Sequence, residues 1–297
     1  MSETDAAARP AVGWIGLGAM GAPMARVAAE VGFPVTAFDV NPAAAPALAP
    51  AVRAAGSARD AVAGAELVVV MVATPAQLED VLFGEAGIAD ALSAGTRVMV
   101  MATVGPAAIE STAARLAEQG VGVIDAPVSG GVARAGTGDL LVMVSGAEED
   151  VACARPVLDA LASTAPVVGP RPGDGQRFKI VNQLLCGVHI AVAGEALALA
   201  DAMGLDLAQV HEVLGAGAAA SFMFGDRGAR MVAGEFDEVK SALDIFVKDM
   251  GLVAGAAQEA GQDVPIAQAA QALFQRGHDA GLGRKDDSVV MRVARGE

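Results

Sequence analysis

The chain has 297 residues, 54% of them hydrophobic, and 20 Lys and Arg against 35 Asp and Glu give a formal net charge of −15. A surface this acidic repels phosphate backbones and anionic lipid, and no basic stripe offsets it, so non-specific nucleic-acid and membrane-surface binding are excluded. The length suits about two domains that need neither disulfides nor metal staples, and the Ala, Val and Leu content with no Tyr points to helices packed closely through small residues.

The opening residues Met1–Pro10 are polar and Ala-rich and read as a disordered tail. In residues 11–172 short β-rich runs alternate with helical ones: Val12–Ile15, Val35–Asp39, Leu67–Val72, Val98–Met101, Val121–Asp125, Leu140–Val144 and Pro166–Val168 are the expected strands. Their near-continuous Val, Ile and Met content is that of strands buried on both faces of a mostly parallel sheet, so a doubly wound α/β domain is expected. The Pro42–Pro50 patch reads as a weak helix after the second strand. Beyond Gly169 the chain is punctuated by Pro170, Pro172, Gly173 and Gly175, and residues 173–297 read as an all-helical domain. A long interdomain helix, from about Gln176 to Met203 and closed by Gly204, joins the two. Its apolar stretch Ile180–Ala200 approaches membrane length, but Asn182, Gln183, His189 and Glu195 interrupt it, which favours a core helix over a span. Cys153 and Cys186 make no disulfide framework and no charged-then-apolar leader is evident, so a reducing cytoplasm is the expected compartment.

The segment from Val12 to Gly21 is a strand running into Gly16-Leu17-Gly18-Ala19-Met20-Gly21, a G-x-G-x-x-G turn that opens a helix. Gly16 permits the tight turn, Gly18 the approach of a pyrophosphate, and Gly21 close helix–strand packing, while the helix N-terminus offers N–H groups and positive partial charge. Asp39 ends the next strand, 18 residues beyond Gly21. A carboxylate there accepts from ribose hydroxyls and repels the extra phosphate of NADP, and Val40 and Asn41 supply no compensating cation, so NAD is favoured over NADP. A turn-starting Asp before Asn41-Pro42 is the plainer alternative.

Two further segments carry chemistry. Asp125-Ala126-Pro127-Val128-Ser129-Gly130-Gly131 leaves a strand and presents bare backbone N–H groups beside a hydroxyl, either a plain turn or a seat for a carboxylate with Ser129 on a substrate oxygen. Lys179, Asn182 and Gln183 stand at i, i+3 and i+4 near the start of the long helix and so share one face. An ammonium and two amides in apolar surroundings need partners, which makes a cleft between the domains plausible, although a snorkelling lysine would also fit. His189, His211 and His278 lie far apart and no C-x-x-C is present, so no metal site is expected.

In this order and spacing the glycine-rich opening, the Asp125–Gly131 segment and Gly173-x-Gly175-x-x-x-Lys179-x-x-Asn182 resemble the β-hydroxyacid dehydrogenases, the 3-hydroxyisobutyrate dehydrogenase-like family. The resemblance covers nearly the whole chain from Val12. Ser241–Asp249, Gly281–Ser288 and Asn182–Ile190 resemble the L-threonate dehydrogenase branch in particular. It implies a Rossmann-type domain followed by the helical one, oxidation of a short hydroxy acid by NAD, Lys179 as catalytic acid/base, and Ser129, Gly130, Gly131, Asn182 and Gln183 on the substrate. It further implies Leu17, Ala19, Met20 and Thr103 against the cofactor, Lys248 on its nicotinamide side, and a homodimer or homotetramer. Many relatives carry a second Asn where this chain has Gln183, which lengthens that reach by one methylene. Lysine chemistry of this kind requires a neutral amine, against an ordinary pKa near ~10.4. Activities of the 3-hydroxyisobutyrate dehydrogenase or tartronate semialdehyde reductase type are the near alternatives. A non-catalytic NAD sensor would have no use for the lysine and amide face, and imine reductases generally lack the lysine.

Overall fold

A computed structural model describes residues 9–297. The strands are β1 (Val12–Ile15), β2 (Val35–Phe38), β3 (Arg53–Ala54), β4 (Leu67–Val70), β5 (Arg97–Val100), β6 (Gly122–Asp125), β7 (Val128–Ser129), β8 (Leu140–Val142), β9 (Val144–Ser145), β10 (Ala162–Thr164) and β11 (Val167–Gly169). Eight form one sheet in the order β11-β9-β6-β5-β4-β1-β2-β3, parallel except where β6 meets β9. The strand order reverses its direction of growth between β1 and β4, the place where open α/β sheets bind ligands beyond the carboxyl ends of their strands.

Alternate residues of each central strand serve opposite faces, which is why these runs are apolar throughout. Trp14, Val69 and Met99 join one core with Met24, Ala25 and Ala28 of α1 (Gly21–Glu30), while Ile15, Val68 and Val98 join another. The second core is covered by α2 (Ala58–Val62), α3 (Pro75–Phe83) and α4 (Pro106–Ala117), and α6 (Glu148–Leu161) adds Val151, Ala154 and Val157 to the first. A short α5 (Gly131–Ala135) follows β7.

Three details differ from the sequence reading. The apolar run Leu140–Val144 is not one strand: Met143 marks a change of partner, and β8 pairs with β7 and β10 in a separate three-stranded sheet while β9 joins the large one. β3, β7 and β10 are two- or three-residue strands without a β-branched run, too short for periodicity to reveal. The Pro42–Pro50 patch gives turns and one 3-10 turn at Pro46–Leu48 rather than a helix, because Pro46 and Pro50 lack the N–H that a helix interior uses.

The chain divides into two compact units between Lys179 and Ile180, inside α7 (Asp174–Ala202). The helical unit continues with α8 (Leu207–Gly215), α9 (Phe222–Ala233), α10 (Leu243–Glu259), α11 (Pro265–Asp279) and α12 (Val290–Arg295). Asp206 and Ser221 cap α8 and α9 through the N–H groups of Gln209 and Phe224. The core gathers Ile190 and Leu197 of α7 with Phe246, Met250, Phe274 and Met291, the Phe246 and Phe274 rings stacking at 5.3 Å. Close approach through small residues is visible at Gly187, where a Cβ would stand 2.3 Å from the Met250 sulfur, and at Gly194, where it would press on the Met291 backbone. α7 has the length and apolarity of a span, yet one side of it is this core.

Candidate active site

The Gly16–Gly21 loop is held from both neighbouring strands. Gly16 N–H donates to the Phe38 carbonyl at the end of β2, and Met71 N–H, just past β4, to the Ile15 carbonyl. The buried Trp14 indole donates to the Gly16 carbonyl at 3.2 Å. Each glycine is required for a different reason. Gly16 has φ +96° and a Cβ there would lie 2.2 Å from the Met71 oxygen; one at Gly21 would lie 2.1 Å from the Gly16 oxygen. A Cβ at Gly18 would meet nothing within 4 Å, so that glycine leaves open space in front of the backbone. Ala19 is exposed beside it, Met20 caps α1 without a side-chain hydrogen bond, and the first turn holds no acid to neutralise the N–H groups. This is a cradle fitted to a pyrophosphate. Asp39 Oδ2 accepts from the Leu17 N–H at 2.6 Å and Oδ1 from the Asn41 N–H at 2.8 Å, which fixes the carboxylate against the loop.

A second centre in the same unit lies at Asp125, fully buried at the end of β6. Its Oδ2 accepts from Ser145 Oγ and from the Gly173 and Gln176 N–H groups, and its Oδ1 from Gln176 Nε2 at 2.8 Å. Burial raises its pKa despite the four donors. Gln176, also fully buried, donates to the Ala102 carbonyl and accepts the Val104 and Gly105 N–H groups, so it brackets Thr103, which lies three residues past β5. Lys179 stands one turn further along α7 and is buried, 6% exposed. Ser129 ends β7, and Gly130 and Gly131, at φ +141° and +74°, turn the chain into α5 as only glycine readily can. Sequence reasoning quoted Asp125 and Gln176 only as members of motifs. The signal that could have singled them out was a carboxylate closing an otherwise apolar buried strand.

In the helical unit Asn182 Nδ2 donates to Gln183 Oε1 at 2.8 Å, and Gln183 Nε2 donates to Asp249 Oδ2. Gln183 and Asp249 are buried, and Lys248 Nζ lies 2.8 Å from Asp249 Oδ1. A larger ionic cluster joins α9 to the turn before α12. Arg227 grips Asp287 and pairs with Asp226, and Arg230 pairs with Asp226 and holds both oxygens of Asp286 at 2.7 and 2.6 Å. Burial raises the Asp287 pKa against the pull of Arg227. For Asp226 and Asp286 burial is outweighed, by Arg230 and Arg227 in the first case and by Ser288, the Lys240 N–H and Arg230 in the second, so both are lowered. Sequence reasoning missed this cluster, whose bonded partners are up to 60 residues apart.

A parallel sheet with a glycine cradle at its switch point, followed by a helical unit, defines a dinucleotide-dependent oxidoreductase. Residues 11–169 match the NAD binding domain of 6-phosphogluconate dehydrogenase, and residues 173–294 match the NAD-binding domain of NADP-dependent 3-hydroxyisobutyrate dehydrogenase. An L-threonate dehydrogenase of Cupriavidus necator is 40% identical over 283 residues, 95% of each chain. A 3-hydroxyisobutyrate dehydrogenase structure from Salmonella typhimurium superposes with a TM-score of 0.90 at 39% identity, covering 95% of this chain and 99% of that one. A second structure, Psf3 in complex with NADP+ and 2-OPP, superposes with a TM-score of 0.88 at 28% identity over 95% of this chain and 99% of its own. The chain belongs to the β-hydroxyacid dehydrogenase family. It is an NAD(P)-binding hydroxyacid dehydrogenase, an oxidoreductase acting on CH–OH.

Proposed function

We propose that this enzyme oxidises L-threonate to its 2-oxo acid with NAD, Lys179 acting as general base. The observation that carries the lysine is its placement: buried, on the first turns of α7, one turn beyond the glutamine that Asp125 locks in place. The bound nicotinamide supplies the hydride acceptor. Neutral Lys179 takes the alcohol proton; in the reverse direction its ammonium returns it to the alkoxide oxygen. Ser129 orients the reacting oxygen, the Gly130 and Gly131 N–H groups bind the carboxylate, and Asn182 and Gln183 complete the substrate contacts. Thr103 and Lys248 belong to the cofactor side. The similarity to L-threonate dehydrogenases at about 40% identity supports the substrate.

The preference for NAD over NADP rests on Asp39, whose carboxylate is pinned to the cradle by the Leu17 N–H, a fixed negative charge where the adenosine ribose is recognised. The 11–172 segment serves as the NAD-binding domain and 173–297 as the substrate and oligomerisation domain; the tail reading of Met1–Pro10 falls, for residues 1–8, outside the described residues. On α7 the exposed Val181, Leu185, Val192 and Leu199 are spaced four, seven and seven residues apart, a stripe suited to a second copy in a homodimer or homotetramer. The protein acts in the cytoplasm on small hydroxy acids, without nucleic acid or membrane.

The test is NAD reduction across a panel of short hydroxy acids, wild type against Lys179→Ala. L-threonate should turn over best, and the variant should lose about 10²–10⁴-fold in kcat. Turnover of 3-hydroxyisobutyrate or glycerate alone would move the substrate, full activity in the variant would overturn the role of Lys179, and NAD binding without turnover of any acid would favour the sensor. Light scattering of the purified chain reads the oligomer.

A further inference from the structure

We infer that Asp249 is a positioning residue that fixes, through Gln183, which atom of the Asn182 amide is offered to substrate. This rests on the proposed role of Asn182 as a substrate contact. The chemistry of the three groups permits one direction only. A carboxylate that faces a lysine accepts hydrogen bonds, so the group that Gln183 turns toward Asp249 Oδ2 is its NH₂. The Gln183 carbonyl oxygen is thereby turned to the other side, where it meets Asn182 and accepts from Nδ2 at 2.8 Å. The same Nδ2 lies 3.5 Å from the Cys186 sulfur, one turn along α7 and itself a weak acceptor. The Asn182 nitrogen is thus committed toward Gln183 and Cys186, and its carbonyl oxygen is directed away from them. The contact Asn182 makes with substrate is therefore that of an acceptor, suited to a hydroxyl donor.

An amide left to itself presents oxygen and nitrogen with equal ease, and an acceptor and a donor in one place select different partners. The geometry also accounts for glutamine at position 183. Its extra methylene spans from α7 to a carboxylate on α10, a contact bridging 66 residues of sequence. Lys248, 2.8 Å from the other Asp249 oxygen, occupies that side of the carboxylate and leaves Oδ2 facing Gln183.

The test is kinetics with the full-length enzyme, reading kcat, the KM for hydroxy acid and the KM for NAD separately, together with thermal melting. Asp249→Leu, which lacks an acceptor, should raise the KM for the acid by about tenfold while kcat and the KM for NAD change by less than about threefold. Gln183→Glu sets two carboxylates face to face and should cost about a hundredfold in kcat/KM. Combined with Asp249→Asn it rebuilds the relay with donor and acceptor exchanged: the amide introduced on α10 donates to the carboxylate introduced on α7, and that carboxylate still accepts from Asn182. The pair should return to within about fivefold of wild type. A double variant no better than Gln183→Glu alone would overturn the relay. So would Asp249→Leu moving kcat and both KM values together in step with a fall in Tm, the mark of a merely structural residue. Asn182→Ala separates the two readings: an unchanged KM for the acid would remove its substrate role and the proposal with it, whereas a raised KM beside an unaffected Asp249→Leu would overturn the relay alone.

Discussion

Both units carry a buried aspartate that orients a glutamine of α7, and the two pairs do different work. In the nucleotide-binding unit Asp125 holds Gln176, and Gln176 spends its amide on the backbone of residues 102–105. In the helical unit Asp249 holds Gln183, and Gln183 spends its amide on another side chain, Asn182. The first pair places main chain, as the Gly16–Gly21 cradle does, and the unit around it presents backbone N–H groups. The second places side-chain atoms, in a unit that also sets two arginines and two aspartates deep in its interior. A site made of backbone depends on conformation, and one made of side chains depends on charge and donor direction. The same kinds of damage should therefore have different consequences in the two units.

The largest effect should come from breaking the buried charge cluster. Arg230→Ala leaves Asp286, fully buried, without the guanidinium that grips both its oxygens. Removing one partner of a buried pair costs about 3–5 kcal/mol, and chemical denaturation should register that loss in the helical unit. In the nucleotide-binding unit the matching experiment is conformational. Gly16→Ala requires φ near +96° and drives a Cβ against the Met71 carbonyl, so a loss of about 2–3 kcal/mol is expected. Gly18→Ala, with open space before it, should leave the melting temperature unchanged and raise the KM for NAD about tenfold. If both glycine variants were equally destabilised, the cradle would be a packing feature and not a binding one.

Asp125→Asn sharpens the contrast between the two pairs. The new NH₂ must face donors, either Gln176 Nε2 or the trio of Ser145 Oγ and two backbone N–H groups. If Gln176 turns over to relieve this, its own NH₂ meets the Val104 and Gly105 N–H groups. About 1–3 kcal/mol should be lost, with faster amide exchange in residues 102–105. Unlike Asp249→Leu, this variant should lower stability and activity together.

The fold was legible in the sequence wherever a physical period ran long enough. Leu67–Val70 and Arg97–Val100 are apolar because both faces of the sheet are covered, and α7 announced itself over nearly thirty residues. What failed was partner choice: nothing in Leu140–Val144 marks Met143 as the point where the chain leaves one sheet for another. The cradle was legible for the same reason as the strands, since its glycines and Asp39 form a local pattern. Gln176–Asp125 and Gln183–Asp249 were not, because a hydrogen bond across 51 or 66 residues has no spacing of its own, and Arg227–Asp287 and Arg230–Asp286 were hidden in the same way.

Acid should separate the units by order of unfolding, a smaller effect than any substitution. Asp226 and Asp286 have lowered pKa values, burial being outweighed by arginines and hydrogen bonds. Their contribution is complete above the ordinary carboxylate pKa of 3.8 and disappears as pH falls through the lower folded values. Asp287 and Asp125 are raised by burial, so their contribution has the opposite sign: it is complete below 3.8 and is lost as pH rises through the folded values. Among the buried carboxylates the nucleotide-binding unit therefore gains from Asp125 on acidification, against a loss at the exposed Asp139, while the helical unit gains from Asp287 and loses from two partners of Arg230; the raised His278 already contributes fully below its ordinary value of 6.5. Trp14 is the single tryptophan, no tyrosine is present, and it is buried in the nucleotide-binding unit, so its fluorescence reports on that unit alone. In a titration from pH 6 to about pH 3, helical circular dichroism should begin to fall before the Trp14 emission shifts to the red. Coincident transitions would mean that the two units unfold as one and that the carboxylates of the helical unit do not set the order. Arg230→Ala should move the circular dichroism transition to higher pH and leave that of Trp14 in place, because its loss falls on the helical unit.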